Sequence, residues 1–113
     1  MSLAEQLKLE DEINSFELKI TSITQNPEGT QVNATGTVVR YGKVWLTYNF
    51  VPNSTQENMG SFVGIGRAVT EDGVQNEGRR RGVYIGNSVT GTVYSLDDVS
   101  DGATNFCIEK WDM

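Results

Sequence analysis

The sequence predicts an all-β fold: a small antiparallel up-and-down β-barrel, or a strongly rolled sheet, of seven or eight strands with a short N-terminal helix. Three observations carry this. Beyond residue 14 the apolar positions recur with a period of two, the mark of half-buried strands. The alternating runs are joined mostly by short turns, so neighbours in sequence pair antiparallel. A meander of that many twisted strands tends to close, because closure removes exposed edges.

The elements follow in order. Residues 3–13, LAEQLKLEDEI, combine helix-favouring residues with leucines near helical spacing, which predicts a helical cap over residues 1–13. In SFELKITSIT, Phe16, Leu18 and Ile20 alternate with Glu17, Lys19 and Thr21, the first strand. NPEGT is a turn, QVNATGTVVRY a second strand, and Gly42-Lys43 a tight connection to KVWLTYNFV, where Val44, Leu46, Tyr48 and Phe50 share a face. A polar loop from Pro52 to Asn58 leads into MGSFVGIGRAVT. There Gly60, Phe62, Gly64, Gly66 and Ala68 share one face. Glycine is costly inside a strand, so this row predicts strong coiling or bulky rings lying over that face. EDG at 71–73 is a hairpin signal, VQNEGRRRGVYIG returns, NSVTGTVYSLDD follows, SDG at 100–102 turns, and TNFCIEKWDM is the last strand. The whole reads as a single domain, 1–113, with the barrel over 15–113.

Composition excludes several chemistries. The chain has 113 residues and a net charge of −6, which discourages non-specific contact with nucleic acid or anionic membranes. No run approaches the roughly 20 apolar residues of a transmembrane helix. The acidic N-terminus lacks the order of a signal peptide, and Cys107 is the single cysteine. A cytoplasmic, reduced location is the expectation, and the sequons at Asn33 and Asn53 are read as chance. Histidine is absent. That removes the commonest general base and zinc ligand together, so no metal or other cofactor is expected.

Several features are weighed as candidates for function. Gly64-Ile65-Gly66 lacks the third glycine of a dinucleotide loop, with Val69 in its place, and no crossover helix follows. In Arg79-Arg80-Arg81 a strand puts Arg79 and Arg81 on one face and Arg80 on the other. A solvated hairpin edge is the plain reading, and Arg79 with Arg81 the candidate anion site. Alternation also allows Tyr48, Arg67, Tyr84, Tyr94 and Glu109 to converge inside a barrel, as a ligand site or as an acid-base group. Asp97, Asp98, Asp101 and Asp112 match no EF-hand spacing and read as turn chemistry. Trp45 and Trp111 are candidate contacts of a homo-oligomer, a dimer by preference. Cys107, between Phe106 and Ile108, reads as buried and inert.

GSFVGIGRAVTEDG at 60–73, the glycine-containing polar strand at 78–86, GTVYSLDD at 91–98 and the SDG turn before NFCIEKW give the second half a resemblance to allene-oxide-cyclase-like small bacterial barrels of unknown function. The strand EGRRRG departs from that pattern, which has smaller residues there. The resemblance implies an eight-stranded, calycin-type barrel that often self-associates, and no reaction. Three functions are therefore open: a barrel binding a small apolar or anionic molecule, a metal-independent isomerase or cyclase using a buried carboxylate and tyrosines, and a filled barrel acting in self-assembly. Their discriminator is the interior. Tyr and Leu alone favour the binder, Glu109 with Arg67 the enzyme, and a dry, filled core the assembly protein.

Overall fold

The computed structural model describes residues 17–87 and 89–112, and the helix expected over 1–13 lies outside them. The described chain is a meander of seven antiparallel strands: β1 (Leu18–Asn26), β2 (Gly29–Val38), β3 (Gly42–Pro52), β4 (Met59–Val69), β5 (Gln75–Gly86), β6 (Thr90–Val99) and β7 (Thr104–Asp112). Their order in the sheet is their order in sequence. The sheet curls into a half-barrel, so of the two expected forms it is the rolled sheet. Among the described residues β1 and β7 are its two edges and do not pair.

The physical reason lies in β1. The strand is bulged between Ile20 and Ser22, and eight of its nine residues are exposed. With Ile20 and Ile23 both left open to solvent, little apolar burial draws this strand across onto β7.

Period-two alternation separates a concave and a convex face in each of the remaining strands. The concave core is built from Ala34, Tyr48, Phe62 and Val93, with Leu46, Phe50, Tyr84 and Trp111 packed against it. The glycine row of β4 lies on this face. A Cβ on Gly64 or Gly60 would strike the carbonyl oxygen of Thr47 or Val51 on β3, so the curl depends on their absence. Rings do lie over the row as well, since Tyr84 covers Gly60.

Chemistry differs between the ends of the half-barrel. At one end the β2–β3 turn meets the β6–β7 hairpin: Asn105 Nδ2, at the start of β7, donates to Tyr41 Oη at 3.1 Å, and Arg40 pairs with Asp101 at 3.8 Å. At the other end the loop 53–58 bonds to β5, with Gly86 N donating to Asn58 O at 2.7 Å. The convex face leaves large apolar side chains exposed, among them Trp45, Val63, Ile65, Val83 and Ile108.

Candidate functional site

Register places Tyr48, Gly64, Arg80 and Asp97 side by side in one row across β3 to β6. Gly64 carries no side chain, so the Arg80 guanidinium reaches over the Tyr48 ring, 5.1 Å from its centroid, and lies 5.9 Å from that of Phe62. Arg80 is only 4% exposed. Its Nε donates to both carboxylate oxygens of Asp97 at 3.1 Å, and its Nη2 donates to Glu109 Oε1 at 2.7 Å. The Tyr48 hydroxyl donates to the same Glu109 oxygen at 2.9 Å. Asp97 also accepts from the Ser95 hydroxyl, and from the Cys107 thiol at 3.4 Å. A buried charge is tolerated when it is paired and hydrogen-bonded, and this network meets that condition for both carboxylates. Arg80 Nη1 is buried without a hydrogen-bond partner.

The electrostatics follow from this packing. Burial opposes the charged form of Arg80, but attraction by Glu109 outweighs it, so the guanidinium holds its proton more firmly than usual. Burial, reinforced by Glu109, pushes the Tyr48 phenol up, so it is a donor and not a base at neutral pH. Burial and then Asp97 push the Cys107 thiol up to about 12, which fits the inert role read from its position.

Above this network opens a trough of about 1460 Å³ whose wall includes Tyr48, Phe50, Tyr84, Glu109 and Trp111. The rings form one continuous surface. Phe50 stacks on Tyr48 at 5.5 Å, meets Tyr84 edge-on at 5.0 Å, and lies 6.0 Å from Trp111, between ring centroids. Trp111 is fixed by donating from Nε1 to Asn87 O at 3.0 Å, and its ring lies where a side chain on Gly91 would be. Burial pushes the Tyr84 hydroxyl up, against ionisation. Glu109 joins the two regions, since Oε1 is held by Arg80 and Tyr48 while Oε2 accepts from no described residue.

Of the five residues expected to converge, Tyr48, Tyr84 and Glu109 share the concave face and line the trough. Arg67 and Tyr94 do not join them. Alternation turns both to the convex face, where Arg67 pairs with Glu77 at 3.0 Å. Arg79 and Arg81 are also convex and exposed, opposite Asp98 and Leu96. Their strand is no hairpin edge, because β4 and β6 flank it. Trp45 is convex and exposed, whereas Trp111 faces inward. Among the described residues no group of three carboxylates or thiols converges as a metal ion would require.

Sequence reasoning missed Arg80, Ser95, Asp97 and Phe50 as parts of the site. A signal for Arg80 was present: Gly78 and Gly82 flank it at two-residue spacing, and a long side chain between glycines on one face has room to lie flat across the sheet. Comparison of the chain with family models, with curated proteins and with solved structures finds no significant match.

Proposed function

We propose that the protein binds a small, partly apolar molecule in the trough, without catalysing a reaction on it. The observation that carries this reading is the uninterrupted aromatic wall from Tyr48 through Phe50 to Trp111, open to solvent and ending on one polar group. Sites for small molecules have this composition, an apolar lining with few converging polar atoms. The filled-barrel alternative is disfavoured by the open trough. The enzyme alternative rested on Glu109 with Arg67, and Arg67 lies on the other face. Glu109 instead shares one oxygen between Arg80 and Tyr48.

Two measurements test the reading. Native mass spectrometry, under gentle and then denaturing conditions, is expected to show a retained small mass released on unfolding. N-phenyl-1-naphthylamine, a neutral apolar probe, is expected to brighten on binding and to bind several-fold more weakly to Trp111→Ala. Ile65→Ser on the convex face is the control and is expected to bind normally. A protein that retains nothing and leaves the probe dark, or equal probe binding by all three proteins, defeats the proposal.

A further inference from the structure

We infer that the trough selects molecules with a protonated amine, an aromatic or short apolar body bearing an ammonium head. This rests on the ligand-binding reading above and specifies its chemical class. Three features of the same cavity lead to it. First, Glu109 lines the trough and its Oε2 has no donor among the described residues, so it offers a ligand N–H an acceptor. Second, the rings of Tyr48, Phe50, Tyr84 and Trp111 line the same trough as Glu109, and aromatic faces attract cations. Third, the lining is electronegative. Glu17, Glu57, Glu109 and Asp112 contribute four carboxylates, against Lys110 as the sole cation among the described lining residues.

An anionic ligand meets the opposite conditions. Apart from Lys110, the cation that meets the trough's Glu109 is Arg80, whose side chain is 3% exposed and already bonded to Asp97 and Glu109. It lies behind Glu109 relative to the trough and does not line it. One guanidinium between two carboxylates leaves the deep network a unit negative, so a second anion would be repelled and an ammonium would complete the balance. The ammonium needs at least one N–H, because the acceptor is a single carboxylate oxygen and not a closed aromatic cage.

A matched series separates this inference from the reading beneath it. Titration calorimetry of the full chain with 1-naphthylmethylammonium, 1-naphthalenemethanol and 1-naphthoate varies the head group on one ring. The ammonium is expected to bind at least tenfold more tightly than the alcohol, about 1.4 kcal/mol, with the carboxylate weakest. Glu109→Gln keeps an oxygen that accepts from Tyr48 and Arg80, and is expected to remove the preference for the ammonium while still binding the alcohol. If Glu109→Gln does not fold, the rank order in the unaltered protein decides alone. The alcohol or the carboxylate binding as tightly as the ammonium overturns the inference and leaves the trough as a binding site. No binding by any of the three overturns both.

Discussion

The guanidinium of Arg80 faces two carboxylates in a buried setting, so removing it strands both charges. Arg80→Met is expected to lower unfolding free energy by about 3–5 kcal/mol, the usual consequence of breaking a buried pair. Arg79→Ser with Arg81→Ser is expected to stay within about 0.5 kcal/mol, because both side chains are exposed. Urea denaturation of the two variants checks the contrast, and equal effects would sink the placement of Arg80. Alternation alone shows that Arg80 points away from its two neighbours. It could not show which face is covered, because that depends on Asp97 and Glu109 arriving from β6 and β7. Glu109 and Tyr48 were legible as inward residues for the same reason that Arg67 and Tyr94 were misplaced: a period of two orders a strand internally, but the inward phase of each strand is fixed by its partners. Cys107 supplies a second prediction at this scale. Its thiol is pushed up to about 12 from an ordinary 9.0, so below pH 9 it is protonated in both states. Above that the unfolded chain loses the proton and the folded chain keeps it, which favours unfolding as pH rises. Tyr48, also raised, adds in the same direction. Stability is expected to fall between pH 9 and 11, with a shallower fall in Cys107→Ala, and an iodoacetamide label at pH 8 is expected only after unfolding. An unchanged pH slope in the variant would show that Cys107 does not take part.

At the scale of the strand, β4 shows how glycine sets curvature. Its glycine row was readable as a demand for coiling or for overlying rings, and both are present. A methyl on Gly64 would meet the Thr47 carbonyl, which is backbone and cannot rotate away. A methyl on Gly78, also concave but on β5, would find its nearest neighbours at 3.7 Å, ordinary contact. Gly64→Ala is therefore expected to destabilise the protein by about 1–3 kcal/mol, the range of overpacking. Gly78→Ala is expected to be neutral within about 0.5 kcal/mol. Thermal denaturation of the pair reads the difference directly, and comparable losses would mean that the row reflects chain flexibility and not close strand approach. The strand β1 is the counterpart. Its alternation was visible in the sequence, but the bulge between Ile20 and Ser22, which leaves it an open edge, has no marker in the residues themselves.

At the scale of the molecule, β1 and β7 do not pair among the described residues, so there the curl is held by means other than a closing ladder. Two of these are side-chain contacts from the β2–β3 turn to the β6–β7 hairpin: Asn105, at the start of β7, to Tyr41, and Arg40 to Asp101. Both sit at the end opposite the loop 53–58, which lines the trough, so one end of the half-barrel is fastened and the other stays accessible. The meander order was derivable from the short turns, whereas this fastening was not, because it joins polar residues from different hairpins. The phenol–amide bond is part-buried and is the stronger candidate, since an exposed ion pair near 4 Å contributes about 0–1 kcal/mol. Tyr41→Phe is expected to cost about 0.5–1.5 kcal/mol, the net value of one hydrogen bond. Its more informative effect is local. Amide exchange is expected to quicken in the β2–β3 and β6–β7 turns together, with β4 and β5 unchanged, because the two turns open as a unit once their bond is lost. Faster exchange in only one of the turns would mean that each is held by its own hairpin, and that the curl is imposed by the concave glycines and the Arg80 network alone.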